Sequence, residues 1–331
     1  MGSTPLRRSP SRAATALAVL ALLLGARPVL AVEPKPPELY GEITAEQAAE
    51  ADQFALNNAI ATVFHEAGHM LISEFSLPVL GKEEDAVDAL AVLLLLEAED
   101  EDFNSVVEDW ANVWFLTAGA KEDEEDMAFW DSHGLDEQRA YSTVCLMVGK
   151  DKKRFHDFAQ SIEYPDYRFE ECLVEYQSLL RSWEKVLGPH EAAKGDKTAF
   201  KITYAPTRDP RLAHFRELIK TAGVMEMVAA AFSGSYKLKD GIKLTAAECG
   251  EANAFWSPDD REMTLCYEDL LNSAELDAQW YIDNPDGEEA TSEDEGTVED
   301  EEAVEDRDTG QPSPPRERDA GSPRAGGSRS G

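Results

Sequence analysis

Phe64-His65-Glu66-Ala67-Gly68-His69-Met70 is the stretch that decides how the chain is read. It holds H-E-x-x-H within a run where Phe54, Ala61, Phe64, Gly68 and Ile72 recur at helical spacing. His65 and His69 then stand one helical turn apart, and both imidazoles project from one face toward a single ion. Glu66, beside the first of them, can take a proton from a water that the ion activates. Gly68 costs about 1 kcal/mol against Ala inside a helix, so something packs closely against it.

Upstream, Thr44-x-x-Gln47 is a capping-box pattern that opens the helix, which the spacing carries to about Phe75. Leu77 to Gly81 is a break. A second helix follows from about Glu83 to Leu96, ending in four consecutive leucines and therefore deeply buried. A zinc peptidase site needs a third protein ligand and an open fourth position. The longer metzincin motif would need a His at residue 75 and a Gly at 72, where Phe75 and Ile72 stand. The third ligand is therefore sought among the acids that open the second helix. Glu84 and Asp88 are again i and i+4. One carboxylate can ligate zinc while the other accepts the N–H of a ligand histidine and fixes its tautomer. Glu84 is the expected ligand, with Glu83 and Asp85 as alternatives.

Further helices are expected at about Phe103 to Ala118, Asp136 to Val148, Lys152 to Gln160, Phe169 to Val186 and Leu212 to Phe232. Phe200 to Tyr204 and Ile242 to Thr245 alternate like half-buried strands, and Asn253 to Trp256 with Glu262 to Cys266 read as a hairpin. The fold class is α+β, a mostly helical H-E-x-x-H part over residues 44–190 followed by a small strand-containing α/β part over 197–281. Cysteine order suggests bridges Cys145–Cys172 and Cys249–Cys266, one of three patterns that four cysteines allow.

The ends read differently. Arg7, Arg8 and Arg12 precede an apolar run, Ala13 to Ala26, and Val29-Leu30-Ala31 suits signal-peptidase cleavage. Residues 1–31 are thus expected to be a signal peptide and 32–43 a linker. The chain is expected to be exported, periplasmic or extracellular, with no stable membrane span once cleaved. That compartment permits disulfides. Residues 284–331, first acidic and then rich in Pro, Arg, Gly and Ser, cannot bury enough apolar surface to fold. With 66 acidic and 31 basic residues among 331, the net charge is -35. No large basic surface is available for nucleic acid or an anionic membrane.

The string FHEAGHMLISEFSLPVLGKEEDAVDALAVLLLL, residues 64–96, closely resembles the bacterial "putative metallopeptidase" family, first catalogued as a domain of unknown function. The likeness continues through His133 to Tyr141, Cys145, Cys172, Cys249 to Phe255 and Leu265 to Glu268. His65-Glu-x-x-His69 followed by Glu84-x-x-x-Asp88 resembles the gluzincin arrangement. The resemblance implies a zinc metallopeptidase-like protein acting on a peptide or protein, and it names no substrate. His133 and Arg139, six apart, resemble the His-Pro-x-x-x-x-Arg segment of membrane-associated gluzincins, with Gly134 in place of the proline. There the His steadies the tetrahedral intermediate, so His133 joins Glu66 as a candidate catalytic residue, and Arg139 joins Asp88 around the ligands. Asn253-Ala254-Phe255 resembles the strand that those peptidases place beside the cleft. In them it precedes H-E-x-x-H; here it follows. The rival expectation is a zinc-containing protein that binds a peptide or protein without turnover. An intact Glu66 favours the enzyme.

Overall fold

A computed structural model describes residues 39–98, 102–121 and 129–285. The expected signal peptide, most of the linker and nearly all of the tail lie outside them.

The organising element is α1 (Ala45–Phe75), 31 residues long. Its capping box forms: the Gln47 amide donates to Thr44 Oγ1 at 3.2 Å, and Gln47 Oε1 accepts from the Thr44 N–H at 2.9 Å. A stripe of small side chains, Ala48, Ala51, Ala55 and Ala59, is fully buried. Such a helix has no solvent face over most of its length and must be surrounded. Packed against it are α2 (Glu83–Glu97), α3 (Asp102–Gly119), the edge of a sheet and the last helix. The four leucines Leu93 to Leu96 of α2 are buried, as their run requires. Beyond lie α4 (Asp136–Lys150), the short α5 (His156–Ser161) and α6 (Arg168–Leu187). Cys145 of α4 and Cys172 of α6 are joined by a disulfide, Cα atoms 5.0 Å apart.

The sheet has four strands in the order β1-β2-β4-β3: β1 (Phe200–Tyr204), β2 (Ile242–Ala247), β3 (Ala254–Ser257) and β4 (Glu262–Cys266). β1, β2 and β4 run parallel, while β3 is the antiparallel edge, paired with β4 as Ala254↔Leu265 through Ser257↔Glu262. The expected hairpin is this pair, and Cys249–Cys266 bridges its base. Both bridges follow the pairing that cysteine order suggests. The crossover from β1 to β2 is helical. The single helix expected over Leu212 to Phe232 is instead two, α7 (Pro210–Ala222) and α8 (Val224–Ser233). Gly223 divides them at φ +72, a left-handed conformation that caps α7 and turns the chain. The helix expected from Lys152 starts later, at His156. The final helix, α9 (Tyr267–Asp283), has no counterpart in the sequence reading, and it packs along α1. The fold is mostly helical α+β, with the helical stretch and the strands in one packed unit. No helix among the described residues is long and apolar enough to cross a membrane.

Candidate metal centre

Two helices build the centre because Gly68 lets them touch. A Cβ at Gly68 would lie 2.7 Å from Cγ1 of Val87 on α2, closer than side-chain carbons approach. The cost of that glycine is thereby explained: it brings the first turn of α2 alongside the two histidines of α1.

At the junction, three imidazoles converge on one oxygen. Glu84 Oε2 lies 3.3 Å from His65 Nε2, 3.1 Å from His69 Nε2 and 3.1 Å from His133 Nε2. His65, His69 and Glu84 can offer one ligand atom each within 4.8 Å of one another, the set of a site that holds a divalent cation. Of the three acids at this helix start, Glu84 alone joins that set. Glu83 instead takes the outer nitrogen of His69, with Oε1 2.8 Å from Nδ1. Asp85 stays outside the set, with Oδ1 3.6 Å from where a Gly134 Cβ would stand. Asp88 Oδ1 is 2.7 Å from His65 Nδ1, so each candidate ligand histidine has a carboxylate on its outer nitrogen. Sequence reading foresaw this for Asp88 and missed it for Glu83, which it held as an alternative ligand.

Arg139 braces Asp88 rather than His133. Its Nε donates to Oδ2 and a terminal nitrogen to Oδ1, both at 2.8 Å. His133 is set by its own loop: Asp131 Oδ1 lies 3.1 Å from His133 Nδ1, and Lys82 at the start of α2 donates to the His133 carbonyl at 2.8 Å. The remaining histidines stand elsewhere. His156 is beside Asp157, His190 stacks on Phe75, and His214 is bonded to Asp52.

The charges follow from these contacts. Hydrogen bonds from His133, His65 and His69 hold the Glu84 carboxyl well below the usual carboxylate range. Burial opposes charge on Asp88, but His65 and Arg139 overcome it and keep that carboxyl low as well. Burial likewise opposes charge on His65, yet the Asp88 and Glu84 carboxylates outweigh it and lift the imidazole to about 9. The imidazole protons gather around the Glu84 carboxylate, the point where a cation would replace them, and the donors fit one: two imidazoles and a carboxylate, oriented from behind.

Glu66 is buried at 6 % exposure, and burial raises its carboxyl above the usual range. The backbone of Trp256 on β3 opposes that rise. The Cys266 N–H donates to the Asn253 carbonyl, so by alternation Asn253 and Phe255 face β4, while Ala254 and Trp256 turn their backbone groups outward. The strand resembling a cleft-side strand therefore lies beside Glu66, although it follows Glu66 in the chain.

No curated protein and no solved structure matches this chain. A family model does match, over residues 37–187 and 204–298, most of the chain. The chain belongs to the family described as "Putative metallopeptidase".

Proposed function

We propose that the chain is an exported zinc-dependent peptidase. Membership of a metallopeptidase family implies a metal ion, and His65, His69 and Glu84 are the residues that would hold it. Their convergence beside a buried Glu66 is the observation that carries the reading. When bound, zinc supplies a Lewis acid that acidifies water and polarises a carbonyl.

The chain's own residues do the rest. Glu66 is the general base: it takes the proton from the attacking water and returns it to the leaving amine. Burial suits it to this, because a carboxyl above its usual range is a better base for that exchange. His133, fixed by Asp131 and by Lys82 at the carbonyl of its own residue, is aimed at the centre and donates to the developing oxyanion. The outward N–H and C=O groups of Ala254 and the outward C=O of Trp256 give an extended peptide an edge to pair with. Asp88 and Arg139 hold His65 in the tautomer that presents Nε2. Export rests on the basic and apolar N-terminus, and two disulfides suit an oxidising compartment.

Protein purified without chelators should carry about one zinc per chain, as three side-chain ligands imply. His65→Ala and His69→Ala should each abolish it, by elemental analysis. Wild-type protein that holds no zinc and takes up none on titration would overturn the proposal.

A further inference from the structure

Behind the metal centre lies a closed ring of contacts that includes two tryptophans of α3. His65 bonds Asp88, and Asp88 bonds Arg139 through both carboxylate oxygens. The Arg139 guanidinium carbon sits 3.5 Å from the centroid of Trp114 and 5.7 Å from that of Trp110. Trp114 meets Trp110 edge to face at 5.1 Å, and Trp110 lies 6.4 Å from the His65 ring, where the circuit began. Trp110 and Trp114 are four apart on α3 and share a face. The indole N–H of Trp114 is buried without a hydrogen-bond partner among the described residues. An unpaired buried donor costs about 1–3 kcal/mol. The ring is therefore held there for its face and not for its donor, and its face is on Arg139.

A guanidinium that makes two bonds to one carboxylate fixes that carboxylate only if its own plane is fixed. Asp88 can restrain one edge of that plane; a ring against its face restrains the tilt. Arg139 is 9 % exposed, so the cation is largely desolvated, where an aromatic face binds it best. We infer that Trp114, backed by Trp110, is a positioning residue of the metal centre: it locks the plane of Arg139, hence the Asp88 carboxylate, hence the His65 imidazole. The helix α3, which supplies no ligand, thereby becomes part of the site. This rests on the reading of His65, His69 and Glu84 as metal ligands.

The test is zinc affinity, measured by competition with a chromophoric chelator on full-length wild-type, Trp114→Leu and Trp114→Phe protein, each also in an Asp88→Ala background. Trp114→Leu should weaken zinc by about three- to thirtyfold, the range a desolvated cation–π contact can carry. Trp114→Phe, which keeps an aromatic face, should stay within about twofold of wild type. In the Asp88→Ala background Trp114→Leu should add no further loss, because its effect passes through Asp88. A role confined to packing would lower affinity equally in both backgrounds and would overturn the inference, as would wild-type affinity in Trp114→Leu. Arg139→Lys gives the same comparison without touching α3. It keeps the charge but loses the planar fork, and it should weaken zinc only where Asp88 is present. Equal affinity of Arg139→Lys and wild type would also overturn the inference. Wild-type protein that takes up no zinc would instead remove the metal reading itself, and this inference with it.

Discussion

Asp88 and Glu84 are the same chemistry one helical turn apart, and what separates them is which nitrogen of a histidine each faces. Glu84 faces Nε2 of His65 and His69, where the ion would be; Asp88 faces Nδ1 of His65, away from it. The i, i+4 spacing made that division of labour legible, because it needs only a helix and a second helix alongside. Removing a partner behind a ligand costs about 10- to 100-fold in metal affinity, and removing a ligand costs far more. Asp88→Asn should therefore retain zinc with affinity lowered within that range, while Glu84→Gln should lose it under the same chelator competition. Both changes are nearly isosteric, so packing does not confuse the order. The reverse order would exchange the two assignments. Glu83 was less legible. An exposed acid at a helix N-terminus has a sufficient reason to be there in the helix dipole, and its bond to His69 depends on how α2 docks.

At the scale of the element, Gly68 decides how close α1 and α2 come. Gly68→Ala gains helix propensity in α1, but the added methyl meets both the Val87 side chain and its Cα, at 3.3 Å, so α2 must move as a body. A loss of about 1–3 kcal/mol is expected, with weaker zinc binding as Glu84 is carried away. Gly119→Ala, at the end of α3 with nothing within 4 Å, is the control and should be neutral. Thermal melts and chelator competition read both. Unchanged melting and zinc affinity in Gly68→Ala would show that α2 can shift without cost.

A second junction carries a pH dependence. Asp109 of α3 accepts from the Asn57 amide of α1 at 2.6 Å, and burial, reinforced by Asp277 and Glu108, lifts its carboxyl to about 7. An unfolded Asp ionises near pH 4, so between about 4 and 7 the folded state holds more protons and stability falls as pH rises. Above about 7 the loss is complete. Asp109→Asn keeps an acceptor for Asn57 and removes the slope. In chelator, it should melt above wild type at pH 8, by on the order of 2 kcal/mol, and level with it at pH 4. A gain at both pH values would assign the effect to packing instead.

Across the whole molecule, what the sequence made legible is what local spacing controls: the capping box at Thr44, the H-E-x-x-H pair, the buried leucines of α2, the β3–β4 hairpin. What it hid depends on distant parts meeting. Gly223 breaks α7 from α8 because the sheet crossover must turn there. Leu270, Leu271, Ala274 and Ala278 have the spacing of a buried helical face, but α9 starts at Tyr267, directly after β4 ends at Cys266, with no turn residues to mark a boundary. Trp110 and Trp114 carry no local signal of a place at the centre, which depends on α3 lying against Arg139. The strand Asn253 to Trp256 comes nearly two hundred residues after Glu66 in the chain, yet it packs against the helix that carries Glu66.

The central claim joins these parts: a metal held by α1 and α2, a base on α1, a peptide edge on β3. Its most direct test is digestion of a peptide library by wild-type and Glu66→Gln protein, both loaded with zinc to the same content. The wild type should cleave, and Glu66→Gln should bind the same zinc and leave the peptides intact. Equal cleavage by both, or none by zinc-loaded wild type, would contradict the account.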